Sequence, residues 1–472
     1  MAMVQLCGVL LIITFSIRTD SSPTSIESVD SELCFDLASP AVCLHPDACN
    51  EHEGQMQCLK TCNVCDYVVK QSLSLIDLNT RGSCILGESQ APIADFEHDS
   101  LRSAWTFYQK MVETQPKNKN IVFSPHVLRS NLAILHLGSK GRTRDEIQKF
   151  AFPSAINANE IIENVSTLNQ FINADSDVHA KSLVMLDGEY MTQNQFRWTL
   201  NSCLKTPVVL GGPIKESTFQ RLLFRFSGGH ISGIKGIGPI PDEPTVVIGG
   251  GLVHSARWNF NAGTFRPNEY HNFEGFTGPK EYLYVARHLQ YQRTPNGFEV
   301  VGIPFTNNRH TFYMIVPERT RRIDQLVQSY STHDFAKLVS SMKHTNRMLR
   351  LRFPMFVENT TISLKTFLEH AGVRSVLNKG TVDLSNLHSV PYERNARKPY
   401  LLDLYHRVNV EVNYEGTGSL RGLLLPPVND AMGLSGKEAT TLKVDRPFLF
   451  LIKDNQSGSV LLMGRINDPK SH

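Results

Sequence analysis

The sequence has no excess of one charge and no long apolar run beyond its N-terminus. Its 472 residues hold 48 Lys and Arg against 45 Asp and Glu, a net charge of +3. No overall field would therefore draw the protein to nucleic acid or to an anionic membrane. A membrane-spanning helix needs about 20 apolar residues, and the chain after residue 21 contains no such run. We predict no membrane span and no nucleic-acid partner.

Catalytic motifs are also missing. The sequence has no Gly-x-Ser-x-Gly, no His-Glu-x-x-His and no phosphate-binding loop,. The glycines at 249–251 lack the remaining glycine of a dinucleotide-binding fingerprint,. Its 17 histidines show no metal-ligand spacing,. We predict that the protein is not an enzyme and has neither a cofactor nor a metal site.

Residues 1–21 predict a secretory signal peptide. The apolar stretch Val9–Phe15 gives way to the polar stretch Ser16–Ser22, which is typical of such peptides, although the usual positive charge at the start is absent. A short membrane anchor is the alternative, and the apolar stretch is too short for it. In a secreted, extracellular protein, exposed sequons would carry glycans. They begin at Asn164, Asn359 and Asn455.

Six of the nine cysteines lie within residues 34–65, a density that is typical of an oxidising compartment,. They are Cys34, Cys43, Cys49, Cys58, Cys62 and Cys65. The spacing of the last two could also indicate zinc or a redox pair, but a six-cysteine block in a secreted chain favours disulfides. Cys84 and Cys203 are left over beyond the signal peptide, and we expect them to pair,.

Regular patterning follows a linker at 66–98 and predicts one large α+β domain. Ser124 and Pro125 have the N-cap and first-turn pattern of a helix, which Gly138 would end. Thr143 to Glu146 has capping-box spacing for the next helix,.

Strand patterns dominate the second half of the domain. Leu349–Phe353 and Val408–Val412 alternate apolar and polar residues, as half-buried strands do,. Phe448–Ile452 and Val460–Met463 are continuously apolar, as strands buried on both faces are,. The polar stretch Lys453–Ser459 would join them as a hairpin.

Three segments of this domain, in order, resemble the serpin family of serine protease inhibitors. They are Asn120–Pro125 with Leu137–Ile147, then Val408–Thr417, then Asp445–Ile452 with Met463–Pro469. The resemblance gives a serpin domain at 99–472 and implies large mixed sheets and an exposed reactive loop. In the family, a protease cleaves this loop, and the hinge side of the loop then inserts into the central sheet and drags the trapped protease along.

The cysteine block at 34–65 resembles a ShK-type, toxin-like domain. The resemblance implies the disulfides Cys34–Cys65, Cys43–Cys58 and Cys49–Cys62, each worth about 2–4 kcal/mol. Some members of that family block potassium channels through a Lys-Tyr pair beside a methionine. Here Met56 is followed by Gln57 and Cys58, so we expect a binding or spacing module instead.

The serpin resemblance places the reactive-loop hinge at Glu415, Gly416, Thr417, Ser419 and Arg421. On insertion, alternate residues would point into the core. Thr417 and Ser419 are small enough for this position. Arg421 is not, because an unpaired buried guanidinium costs several kcal/mol. Pro426 and Pro427 would each remove a hydrogen-bond donor from the strand,.

The loop is also longer than inhibitory members usually have. Counting forward from the hinge puts the scissile bond at Asp430–Ala431. Counting back from the C-terminal signature puts it near Lys437–Glu438, the only nearby bond that a trypsin-like protease would favour. An inserted arm of this length would leave a captured protease loosely held, so that the protease could complete deacylation. Val127 and Gly249 or Gly250 stand where the family usually has Ser and Asn, in the region where the sheet opens.

These departures favour a secreted, non-inhibitory serpin with a substrate-like or binding role. The alternative is a functional suicide-substrate inhibitor of a serine endopeptidase. We expect a monomer whose partner is an extracellular serine protease, another protein or a small ligand. Three basic stretches could bind a glycosaminoglycan or simply form a solvated face. They are Lys343–Arg352, Arg319–Arg322 and Arg394–Lys398.

Overall fold

The computed structural model describes residues 93–187, 191–211, 216–232, 245–260, 262–306, 308–345, 347–389, 398–418 and 439–470. The predicted signal peptide, the cysteine block, Cys84 and most of the predicted linker lie outside these residues. So do the reactive-loop positions 419–438, which include Ser419, Arg421, Asp430, Ala431, Lys437 and Glu438.

Most helices of the described chain lie in its first part, and three short ones follow later. The described helices are α1 (Ile93–Thr114), α2 (Pro125–Gly138), α3 (Gly141–Ala151), α4 (Ala158–Asn173), α5 (Asn194–Ser202), α6 (Glu216–Phe226), α7 (Leu326–Ser329), α8 (Thr332–Ser340) and α9 (Lys365–His370), with 3-10 turns at Ile323–Gln325 and Ser375–Leu377.

Most strands of the described chain lie in its second part, and four occur earlier, between the helices. The described strands are β1 (Ile121–Phe123), β2 (Val178–Asp187), β3 (Met191–Thr192), β4 (Val208–Gly211), β5 (Thr245–His254), β6 (Gly263–Asn272), β7 (Gly275–Arg287), β8 (Gln290–Arg293), β9 (Phe298–Pro304), β10 (His310–Pro317), β11 (Leu349–Pro354), β12 (Phe356–Ser363), β13 (His388–Ser389), β14 (Tyr400–Val412), β15 (Thr440–Lys443), β16 (Phe448–Asp454) and β17 (Val460–Ile466).

The described strands form three large sheets and one small one. A five-stranded sheet has the order β12-β14-β5-β2-β4, a six-stranded sheet β1-β17-β16-β10-β9-β8, a four-stranded sheet β15-β11-β7-β6, and β13 pairs with β3. In the five-stranded sheet β14 runs parallel to its neighbour β5, while β5 runs antiparallel to β2. This mixed architecture confirms the predicted α+β class.

Several local predictions are confirmed. Ser124 caps α2 and accepts a hydrogen bond from the amide of Val127 at 3.2 Å, with Pro125 in the first turn. Gly138 is the last residue of that helix. Strand β11 alternates as expected, and β16 and β17 are buried along their whole length and pair as a hairpin.

The capping box predicted at Thr143 was wrong. Helix α3 begins earlier, at Gly141, and has no side-chain cap. The carboxylate of Glu146 instead accepts hydrogen bonds from the amides of Arg374 and Ser375, at 2.9 and 2.8 Å. Those amides belong to a segment distant in sequence. The carboxylate that local spacing predicted as a helix cap therefore makes a tertiary contact instead.

Two buried clusters form the core. Trp105 of α1 stacks on Phe335 of α8 in the first cluster, with ring centroids 4.1 Å apart. Trp258, just after β5, stacks on Phe305 in the second cluster, at 4.7 Å. The second cluster also contains Leu252 of β5 and the valines of β14, so it fills the end of the five-stranded sheet where β14 runs into the predicted hinge.

Candidate functional site

The predicted hinge returns to the five-stranded sheet directly after β14 ends. Thr417 forms an antiparallel bridge with Val412, and the amide of Gly418 donates to the carbonyl of Glu411 at 2.9 Å. On the other side, Thr417 and Ala256 exchange backbone hydrogen bonds of 2.8 and 3.2 Å. Residues 416–418 therefore lie between the end of β14 and the segment just after β5, and they are hydrogen-bonded to both.

The reversal that brings Thr417 back is held by Asn413. Its Oδ1 accepts from the amides of Glu415 and Gly416, at 2.9 and 3.1 Å, and its Nδ2 donates to the carbonyl of Gly418 at 3.1 Å. Trp258 binds the same turn through two donors. Its amide bonds to the carbonyl of Glu415 at 2.8 Å, and its indole N–H bonds to the carbonyl of Asn413 at 2.9 Å.

Two glycines allow the close approach of these backbones. Gly416 has a φ of 156°, and a Cβ on it would overlap the carbonyl oxygen of Ala256. Gly418 has a φ of 85°, and a Cβ on it would overlap Oγ of Ser255. Only glycine fits at these two positions, so the sequence on both sides of Thr417 is adapted to its insertion.

The side chain of Thr417 points inward and has no exposed surface. Its Oγ1 lies 2.6 Å from Nδ1 of His254, the last residue of β5. Behind His254 lie His310 and Asp175. The three residues are far apart in the chain, so in the sequence they belong to a set of scattered histidines and aspartates without ligand spacing.

Burial controls the ionisation of these groups. Burial, reinforced by the neighbouring His310, holds the pKa of His254 well below the usual histidine value,. Burial alone would raise the pKa of Asp175. Hydrogen bonds from His310 and from the amide of Asp177 outweigh it and leave the pKa of that carboxyl lowered. A neutral His254 and an ionised Asp175 are therefore the expected states near pH 7.

Comparison with known families agrees with this architecture. The family model described as Serpin (serine protease inhibitor) matches residues 99–469, which is most of the chain. The chain belongs to the serpin family.

The relatives of this serpin are distant in sequence. Plasminogen activator inhibitor 1 from Bos taurus is 24% identical over 386 residues, which cover 77% of this chain and 90% of the relative. Among solved structures, the thermophilic serpin tengpin in the native state has a TM-score of 0.70 at 17% identity, covering 79% of this chain and 94% of that one. Thyroxine-binding globulin in complex with thyroxine has a TM-score of 0.67 at 16% identity, covering 79% and 99%.

Val127, one departure from the serpin pattern, lies against Gly250, one of the two glycines at which the other departure was expected. A Cβ on Gly250 would lie 2.8 Å from Cγ1 of Val127 and 2.9 Å from Oγ of Ser182. The valine therefore occupies the space that a side chain at 250 would need. Nearby, His406 of β14 accepts from the amide of Ser124 at 2.7 Å, and burial lowers the pKa of His406 to about 3.

The remaining predicted positions lie apart from the hinge. Cys203 is disulfide-bonded and almost fully buried. Asn359 is exposed on β12, whereas Asn164 is half-buried on α4. Asn455 is exposed, but its Nδ2 donates to the carbonyl of Asn308 and to Oγ1 of Thr311, each at 2.9 Å.

Two of the cations in the stretch Arg319–Arg322 have acidic partners. Arg319 lies 2.7 Å from the buried carboxylate of Asp445, and Arg322 lies 3.4 Å from Asp324. Such pairing lowers the net charge that a sulfated chain would meet. No helix among the described residues is long and apolar enough to cross a membrane.

Proposed function

We propose that this protein is a secreted, non-inhibitory serpin whose reactive loop enters the sheet at its hinge but does not insert fully. It would be a substrate of proteases or a binding protein, and not an enzyme. The observation that carries this proposal is the register of Thr417, which determines where the following residues would lie if the loop inserted further.

The register follows from the partners of Thr417. This residue faces Val412 on one side and Ala256 on the other, and both pairings are antiparallel. Each further residue of the loop would therefore move one position back along both strands. By this count Arg421 would lie between Leu252 of β5 and Val408 of β14, whose residues are 0% and 1% exposed.

That position is unfavourable for a guanidinium. Side chains alternate along a strand, so Arg421 would share the inward orientation of Thr417. Leu252 and Val408 belong to the second apolar cluster, and an unpaired charge there costs several kcal/mol. Pro426 and Pro427 would enter deeper and remove two donors from a central strand,. Full insertion therefore loses much of its driving force.

A suicide-substrate inhibitor remains the second candidate, on a specific observation. Thr417 already lies between the ends of β14 and β5, which is where insertion would start. A relative of this chain is a plasminogen activator inhibitor. A binding role has its own parallel in thyroxine-binding globulin, a fold neighbour that is described with a small ligand.

The test is incubation of the full-length protein with trypsin and with a chymotrypsin-like protease, followed by denaturing gels and thermal unfolding of the cleaved product. We expect cleavage without an SDS-stable complex and little gain in heat resistance. A covalent complex, together with a cleaved form much more heat-resistant than the intact one, would refute the proposal.

A matched set of variants tests the reason. Arg421→Ala combined with Pro426→Ala and Pro427→Ala removes the predicted obstacles, so the cleaved form should gain heat resistance. Leu420→Ala, combined with the same proline changes, alters the residue of opposite orientation and should leave the cleaved form as labile as the wild type. Equal behaviour of the two triple variants would show that the guanidinium does not limit insertion.

The N-terminal region extends the proposal. Removal of residues 1–21 on secretion would leave the ShK-like block 34–65 as a disulfide-bonded binding or spacing module ahead of the serpin domain. We propose that the disulfide of Cys203 is formed with Cys84. Non-reducing peptide mapping would identify a crosslinked peptide pair, and any other partner for Cys203 would contradict this assignment.

A further inference from the structure

A chain of polar contacts runs inward from the hinge. Oγ1 of Thr417 lies 2.6 Å from Nδ1 of His254, and Nε2 of His254 lies 3.0 Å from Nδ1 of His310. Nε2 of His310 lies 2.7 Å from Oδ2 of Asp175. The threonine and both histidines are 0% exposed, and the side chain of Asp175 is 4% exposed. The hinge, β5, β10 and the turn after α4 each supply one member.

One arrangement of protons satisfies every member with both histidines neutral. Asp175 is a carboxylate and can only accept, so Nε2 of His310 must donate to it. Nδ1 of His310 then accepts from Nε2 of His254. Nδ1 of His254 is left as an acceptor, and the hydroxyl of Thr417 donates to it. The carboxylate thus fixes the tautomers of both histidines and the orientation of the hinge hydroxyl.

A proton on His254 disrupts this arrangement. Nδ1 of His254 would then carry a hydrogen where Thr417 donates, and the hydroxyl proton would lose its acceptor in a site without exposed surface. The proton would also put a positive charge on a fully buried imidazole. The other charged groups around the chain are Asp177 beside Asp175, and Arg309, whose Nε lies 3.0 Å from Asp175 and 3.5 Å from Asp454.

We propose that His254 is a positioning residue for the hinge, and that the chain Thr417–His254–His310–Asp175 is a proton-sensitive latch. It keeps Thr417 between β14 and β5 at neutral pH and releases it in acid. This inference goes beyond the proposed function and does not rest on it, because the position of the hinge can be measured whether or not the loop inserts further.

Proton linkage determines how pH changes the ratio of seated to released hinge. In the seated state burial depresses the pKa of His254. When Thr417 leaves, water reaches the imidazole and its pKa returns toward the ordinary value of about 6.5. Protons therefore bind the released state more tightly and favour it. Below about pH 6.5, the ratio of seated to released hinge should fall by up to about tenfold for each pH unit.

The structure supplies a reporter for the test. Trp258 bonds to the turn through the carbonyls of Glu415 and Asn413, so its fluorescence should respond to release of the hinge. The full-length protein is titrated from pH 8 to pH 4 in a Trp198→Phe background, in which Trp105 of the first core cluster is the other remaining tryptophan. Far-UV circular dichroism follows global folding. Hydrogen exchange of the Thr417 and Gly418 amides, corrected for intrinsic pH dependence, gives an independent readout.

Wild type should show a fluorescence transition at or below about pH 6.5, with loss of amide protection at Thr417 and Gly418 and unchanged circular dichroism. His254→Phe should abolish the transition. Thr417→Val keeps the shape of the side chain without the donor, so the hinge should be partly released already at pH 8. His136→Gln, a buried histidine of α2 outside the chain, should keep the wild-type transition.

Absence of a transition in folded wild type, or an unchanged transition in His254→Phe, would overturn the latch. If His254→Phe fails to fold, Thr417→Val decides the question, since wild-type protection of Gly418 in that variant would also overturn it. Failure of the proposed function looks different, because it would appear as an SDS-stable protease complex at neutral pH without any change in this titration.

Discussion

Gly416→Ala is the sharpest test of whether the hinge is held in the sheet. A Cβ at this position would overlap the carbonyl oxygen of Ala256, a backbone atom that also accepts the amide of Thr417 at 2.8 Å. Because neither backbone can move without breaking that bond, we expect the variant to fold with its hinge out of the sheet. The cost of the substitution is then limited to the free energy of seating the hinge.

That free energy can be estimated from the contacts. Four backbone hydrogen bonds involve residues 416–418, namely those from Thr417 and Gly418, from Ala256 to Thr417 and from Asn413 to Gly416. At about 0.5–1.5 kcal/mol each they supply about 2–6 kcal/mol. Ordering the backbones of three residues costs about 3–6 kcal/mol, so the two backbone contributions nearly cancel. We therefore expect a loss of at most about 3 kcal/mol in the free energy of unfolding, most of it at the hinge.

Gly275→Ala is the matched control. Gly275 also has a positive φ, of 125°, but a Cβ there would meet nothing within 4 Å. Gly275→Ala would carry a backbone strain of about 1–2 kcal/mol without any overlap, whereas the overlap in Gly416→Ala would displace the hinge. Denaturant unfolding, with hydrogen exchange at Thr417 and Gly418, compares them. Equal stabilities with full protection of both amides in Gly416→Ala would refute the reasoning.

Two further predictions concern other parts of the molecule. Glu146→Gln should lower the free energy of unfolding by about 1–2 kcal/mol at pH 7, because the carboxylate accepts from the amides of Arg374 and Ser375,. Burial opposes ionisation of Glu146, but these hydrogen bonds leave its pKa lowered. The stabilisation is therefore complete above the unfolded pKa and is lost as pH falls through the folded one, so denaturation curves of variant and wild type should converge in acid. Asn359→Gln should remove one glycan, seen as a mobility shift of the secreted protein, whereas Asn455→Gln should not, because the Asn455 amide is already bonded within the fold.

Local pattern predicted the regular elements of this fold and failed where tertiary contacts decide. The continuous apolar runs in β16 and β17 predict that these strands are buried. The cap at Ser124 depends only on residues of its own helix, so local sequence predicts it as well. Glu146 has the spacing of a capping residue, yet it bonds to amides more than 200 positions away. No local rule can anticipate such a contact.

The polar chain behind the hinge was unpredictable for the same reason. His254, His310 and Asp175 belong to two different sheets and a turn, and nothing in their sequence neighbourhoods distinguishes them from other histidines and aspartates. By contrast Val127, and a glycine at 249 or 250, were recognisable as departures from the serpin pattern. Only the structure shows that one fills the space left by the other.

Thr417 and Arg421 belong to the same strand register. We expect the fit of Thr417 and the poor fit of Arg421 together to determine how many residues of the loop can insert into the sheet. Thr417 faces Ala256 and fits. By the antiparallel count Ser419 would be level with His254, where a hydroxyl is still acceptable in a polar site. The next inward residue, Arg421, would meet Leu252 and Val408, and a guanidinium has no partner there,.

For a loop with this sequence, insertion of the hinge should be favourable in free energy, and insertion as far as Arg421 should be unfavourable. On the proposed function, the favourable part of the insertion would already be complete in the intact molecule, and cleavage would release little further energy. A protease that cuts such a loop would be freed by deacylation before it could be displaced. The proposed seating of the hinge by His254 and the proposed resistance to full insertion thus lead to the same expectation, a serpin that is cut without trapping its protease.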